Sequence, residues 1–129
     1  MFLFDANLPS RIPESLRILG EQAHHVHDIF APGTPDETWI NYAGARGWCI
    51  VSRDTNITRK PHERAALVAH SVGAFFLLPG GRSPTFWRMV ETVIRHWSQM
   101  KRIAATEDRP FLKRSSRRAS RISEVRFRH

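Results

Sequence analysis

Three short, solidly apolar runs constrain this chain most: "FLF" at its start, "WCIVS" from Trp48 and "AFFLL" from Ala74. Each is too short for a helix core and is flanked by turn-forming residues, so each reads as a strand buried on both faces. "HHVHDIF" reads as a weaker, partly polar strand. Between the runs the periodicity changes from strand to helix. Leu8, Ile12, Leu16 and Leu19 recur at helical spacing and stop at Gly20, a natural C-terminal cap. A second helix is expected from Pro35 to Gly47 and a third from Pro61 to Ser71. The resulting order is βαβαβαβ. Consecutive parallel strands need crossovers, and the helices that make them cover both sheet faces. The expected fold is therefore an α/β, three-layer sandwich around a mostly parallel central sheet.

A long helix follows in "SPTFWRMVETVIRHWSQMKRIA", with Ser83 as N-cap and Pro84 as its first residue. Phe86, Val90, Val93, Trp97 and Met100 form one stripe, which Trp87 and Ile94 widen. Such a face packs on the core, and its width also suits a subunit contact in a homodimer. From residue 109 onward the chain reads either as a basic hairpin, pairing "FLKRSS" with "SRISEVRF", or as a flexible arm. The division expected is a domain over residues 1–108 and a basic extension over 109–129.

Charge follows that division. The formal charge is +8, but residues 1–100 hold ten Lys/Arg against nine Asp/Glu, whereas 101–129 hold ten against three. The basic character belongs to the tail, and a concentrated basic segment favours phosphate-rich or acidic partners. Cys49 is the single cysteine, so no internal disulfide can form, and its apolar surroundings make it a small buried hydrophobe. No run is long enough to span a membrane, and the first residues lack the pattern of a signal peptide. A cytoplasmic protein without membrane contact is the expectation.

Acid stands at each strand-to-helix junction. Asp5 follows the first strand, Asp54 follows the third run, and Asp36 and Glu37 open the second helix. In a parallel sheet the carboxyl ends of the strands share one edge, where open α/β folds keep their chemistry. The loop "DIFAPGTP" is long enough to return the second helix to that edge. Each acid also has a purely structural reading. Asp5 and Asp54 suit turns. Thr34, Pro35 and Glu37 make a capping box, which accounts for Glu37 and leaves Asp36 as the preferred second-helix acid. Converging carboxylates repel unless they bind protons or a cation. Oxygen ligands select Mg²⁺ or Mn²⁺, which can activate water and steady charge on a phosphoryl oxygen.

The segments "FLFDANLPSRI", "HVHDIFAPGTPDETWI", "GWCIVSRDTNITRKPHERAAL" and "VGAFFLL", in this order over residues 2–78, resemble the PIN-like domains, particularly those allied to VapC-type toxins of toxin–antitoxin systems. The resemblance implies a compact α/β metal-dependent endoribonuclease. It implies Mg²⁺ or Mn²⁺ held by Asp5, Asp36 and Asp54, with Asn7, Glu37 and Asn56 as helpers. It also implies an RNA substrate and a protein antitoxin. One departure stands out. Many PIN domains carry a fourth acid after the third, where this chain has Thr55 and Asn56, so a weaker second-metal site or a degenerate RNA- or protein-binding module is the alternative.

Arg53, Arg59, Lys60 and Arg64 surround Asp54 in sequence and read either as phosphate contacts or as a solvated face. Lys113, Arg114, Arg117, Arg118 and Arg121 are the tail's RNA-binding candidates, and "KRSSRRAS" would equally suit an acidic antitoxin. His25, His27 and Asp28 suggest zinc, but no second ligand cluster follows; His62 reads as a surface residue near Asp54. A receiver-like domain would need paired acids after the first strand and a lysine near a late strand end. The chain has "DAN" and "FFLLPGGR" there. An Asp-x-Asp phosphatase needs an acid where Asn7 stands.

Overall fold

The computed structural model describes residues 1–53, 61–79, 84–115 and 122–125. Along the chain the elements are β1 (Phe2–Phe4), α1 (Arg11–Ile18), β2 (Ala23–His25), α2 (Val26–Ile29), α3 (Asp36–Arg46), β3 (Cys49–Arg53), α4 (Pro61–Ala69), β4 (Gly73–Leu77), α5 (Phe86–Thr106), β5 (Phe111–Ser115) and β6 (Ile122–Glu124). One sheet runs in the order β2-β1-β3-β4-β5-β6. All neighbours pair parallel except β5 and β6, which are antiparallel.

Strand alternation divides the core. Phe2, Phe4, Cys49, Val51, Phe75, Leu77 and Phe111 face one side, where α1 and α5 cover them through Ile12, Leu16, Val93, Trp97 and Met100. Leu3, Ile50, Ala74, Phe76 and Leu112 face the other, where α3 and α4 supply Trp39, Ile40, Ala43, Ala66 and Leu67. This is the three-layer sandwich expected from strands apolar on both faces. Phe4, Phe75 and Phe76 are almost wholly buried, each contributing roughly 1.5–3 kcal/mol by leaving water. Gly73 lets β5 close on β4, since a Cβ there would stand 2.4 Å from the Phe111 ring. Gly47 ends α3 at φ 70°, a left-handed cap that a side chain would strain.

Several boundaries depart from the sequence expectation. Only the start of "HHVHDIF" follows strand geometry. At His25 the chain turns into α2, because the His25 imidazole accepts from the His27 amide while the Asp28 carboxylate accepts from the His25 amide. That reciprocal capping satisfies two donors a strand would have left to a partner. The box expected at Thr34 does not form: Pro35 is the N-cap of α3, and the Thr34 hydroxyl donates to the Ala31 carbonyl at 2.7 Å. Thr85, not Ser83 or Pro84, caps α5 by accepting from the Arg88 amide; Ser83 lies outside the described residues. On α5, Val93, Trp97 and Met100 are buried as expected, but Phe86 is exposed. The tail's pairing is a hairpin, and it joins the main sheet, with β5 beside β4 and β6 outermost. Among the described residues no helix is long and apolar enough to cross a membrane.

Candidate active site

β1 ends at Phe4, and Asp5 emerges at the carboxyl edge of the sheet yet stays buried, 5% exposed. Its amide donates to the Val51 carbonyl at 3.0 Å, so its backbone is held by the central strand β3. Its Oδ1 accepts from the Asn7 amide at 2.9 Å. This is a turn in which the side chain reads the backbone two residues on. The structural reading of Asp5 is thus correct locally. The same residue also lines a cleft at that edge.

Leu8 anchors the same turn in the core, and its carbonyl meets the His25 Nε2 at 2.8 Å. His25 therefore donates through Nε2 and accepts the His27 amide through Nδ1, leaving neither nitrogen for zinc. Burial pushes its pKa below the ordinary 6.5, against the raising effect of the Leu8 hydrogen bond.

Asp5 and Asn7 open onto a cleft of about 260 Å³ whose walls also carry His27, Asp36 and Glu63. Asp36 is the first residue of α3 and is exposed, so the loop before that helix does return to the carboxyl edge. Glu37 is directed elsewhere: it is not among the described residues lining the cleft, and its Oε1 lies 3.7 Å from His70 Nε2. Glu63 is the residue that sequence reasoning missed. It sits in the first turn of α4, 8% exposed, where the helix dipole favours a carboxylate. Its signal was present in "PHER", an acid entering a helix a few residues after Asp54 in sequence. His62, beside it, is exposed and does not line the cleft.

Asp54, Asn56, Arg59 and Lys60 lie outside the described residues, as do Arg117, Arg118 and Arg121. Arg53 closes β3 and is half-buried, and Arg64 is half-buried on α4. Lys113, expected among the RNA contacts, is buried and paired with Glu107 at 2.7 Å and Glu124 at 2.6 Å. Burial pulls its pKa down, but the two carboxylates outweigh that and hold it above the ordinary 10.5. Its charge is committed to fastening the hairpin to the end of α5. Arg114 beside it is half-buried.

The cleft's polar lining is dominated by oxygen donors, the chemistry that suits Mg²⁺ or Mn²⁺ rather than a soft metal. Among the described residues no three His, Cys, Asp or Glu side chains stand close enough to share one ion.

The sequence model of a family described as a PIN like domain matches residues 1–78. The match spans β1 through β4 and every acid in the cleft; α5, β5 and β6 lie beyond it. No curated protein and no solved structure matches the chain.

Proposed function

Because the chain belongs to the PIN-like domain family, we propose that it is a metal-dependent endoribonuclease. PIN-like domains are often nucleases. The observation that carries the reading is the cleft at the carboxyl edge of the sheet, whose walls carry buried Asp5 together with Asp36 and Glu63. In this reading Asp5, Asp36 and Asp54 hold Mg²⁺ or Mn²⁺, with Asn7, Asn56 and Glu63 around them. A bound ion of this kind activates water and neutralises charge on a phosphoryl oxygen. Asp5, with its backbone tied to Val51 and its turn tied to Asn7, presents a carboxylate that need not reorganise as substrate enters. Asn7, exposed at the lip, offers an amide to a phosphate or a water. Arg53, Arg59, Lys60 and Arg64 hold the RNA backbone near the cut, and Arg114, Arg117, Arg118 and Arg121 extend that grip. Phosphate contacts of this number make binding strongly salt-dependent.

In this proposal the chain is the toxin of a type II toxin–antitoxin pair acting in the cytoplasm, a reading supported by the resemblance of its segments over residues 2–78 to VapC-type PIN-like domains. The basic tail suits an acidic antitoxin segment.

A second reading is a PIN-like module that binds RNA or protein without cutting. Asn56, standing where many PIN domains carry an acid, favours it. Calorimetry with Mn²⁺, wild type beside Asp54→Asn, separates the two. Binding that Asp54→Asn abolishes supports the nuclease; no binding in the millimolar range supports the module.

A further inference from the structure

Two of the chain's tryptophans are buried, Trp39 at 6% and Trp97 at 7% exposure. The body of a buried indole packs like any apolar ring, but its N–H needs an acceptor. Trp97 has one, the Glu21 carboxylate at 3.0 Å. Trp39 has no hydrogen-bond partner among the described residues. Its ring belongs to the core beneath α3, with Leu3, Val26 and Ile40, and the same residue lines the cleft at the carboxyl edge of the sheet. The N–H is not sealed inside the core, so its open direction is the cleft. Asp36 stands three residues earlier on α3, on the same side of the helix, and lines the cleft as well. Its carboxylate also has no partner among the described residues. One wall of the cleft thus offers an unused donor beside an unused acceptor.

We infer that Trp39 and Asp36 hold a ribose 2′-hydroxyl of the substrate and so select RNA over DNA. The inference rests on the nuclease reading and specifies how that cleft chooses its substrate. A hydroxyl both accepts and donates. Its oxygen takes the Trp39 N–H, its hydrogen goes to Asp36, and the second oxygen of Asp36 is left for a cation. A phosphate oxygen fits this wall less well. It only accepts, so Asp36 gains no donor, and its charge is repelled by the same carboxylate. Val26 and Ala31, also in the cleft walls, suit the carbon face of a sugar. The 2′-hydroxyl is the group by which a protein tells RNA from DNA. A site built to bond it disfavours the deoxy analogue, because the site's own polar groups then stay unpaired.

The test compares a single-stranded RNA of about ten nucleotides with the DNA of the same base sequence, uracil included, on the full chain with Ca²⁺ in place of Mn²⁺. Wild type is expected to bind the RNA about tenfold more tightly, the scale of one well-made hydrogen bond. Trp39→Phe keeps an aromatic ring and loses only the N–H. It should bring the two affinities within about twofold of each other by weakening RNA alone; unchanged DNA binding shows that the variant is folded. Nitrogen–proton correlation NMR of wild type reads the contact without any substitution. The Trp39 indole signal should move with RNA and stay with DNA, while that of Trp97, held by Glu21, stays with both. Equal movement with both strands assigns the N–H to a base or a phosphate and overturns the inference, as does an RNA preference that Trp39→Phe leaves intact. Either result leaves the nuclease reading standing. Failure of wild type to bind either strand overturns the inference together with that reading.

Discussion

The Asp5 amide donates to the Val51 carbonyl at 3.0 Å, so the ladder between β1 and β3 ends on the residue that bears the cleft's buried carboxylate. The position of that carboxylate is set by β3, an interior strand of the sheet. Its neighbours along the chain, Asn7 and Leu8, are tied back to Asp5 as well, through a side-chain and a backbone bond. Pre-organisation of this kind is what a site that stabilises charge needs.

A first prediction separates function from structure at Asp5. Asp5→Asn keeps an oxygen for the Asn7 amide, so unfolding by urea should change by no more than about 1 kcal/mol. Removal of the charge should lower Mn²⁺ affinity by at least about 100-fold, since even outer groups of metal sites are worth about 10–100-fold. Calorimetry beside the urea titration checks both. A large loss of stability with affinity intact would make Asp5 a turn residue only.

Glu63→Gln tests the acid that enters the cleft from α4. The isosteric change removes charge from the first turn of a helix, which should cost about 0.3–1 kcal/mol of stability. Mn²⁺ affinity should fall as well, by less than in Asp5→Asn. Equal affinity in Glu63→Gln and wild type would exclude Glu63 from the cation's surroundings.

Lys113 gives an alkaline signature. Its folded pKa lies above the ordinary 10.5, so its contribution is complete below that value and is lost as pH rises through the folded pKa. Tm should drop in this window for wild type, and less for Lys113→Met. At pH 7 Lys113→Met should be less stable by about 1.5 kcal/mol, the low end for charge-assisted hydrogen bonds, because both glutamates are largely exposed.

His25 gives the acid counterpart. Burial holds its folded pKa below 6.5. The unfolded chain therefore takes up a proton that the folded chain refuses, and stability falls as pH drops from about 6.5 towards the lowered folded value. His25→Asn keeps a capping oxygen for the His27 amide but loses the bond to Leu8. It should cost about 1 kcal/mol at pH 7 and flatten the slope between pH 6.5 and 5 in chemical denaturation. An unchanged slope would show that His25 does not titrate in this way.

The sheet was legible from sequence because strands buried on both faces leave unbroken apolar runs; "FLF", "WCIVS" and "AFFLL" announce β1, β3 and β4 directly. Local capping was not. Thr34 carries the right residue type for a cap, but its hydroxyl finds the Ala31 carbonyl, and His25, an unusual cap, converts an apparent strand into a helical turn. Junction acids were visible as a set, and Asp5 and Asp36 do line one cleft. Glu63 was missed because a carboxylate in a first helical turn is the commonest of surface features, and only its burial distinguishes it. Lys113 misled for the opposite reason. It sits in a dense basic run, yet the acids that neutralise it are at Glu107 and Glu124, brought together by the hairpin rather than by sequence.

The most direct measurement is cleavage of a 5′-labelled single-stranded RNA in Mn²⁺, wild type beside Asp5→Asn at equal concentration. Discrete products from wild type that vanish with chelator and with Asp5→Asn are the predicted result. Intact RNA with wild type under metal, or equal cleavage by Asp5→Asn, would contradict a nuclease built around Asp5.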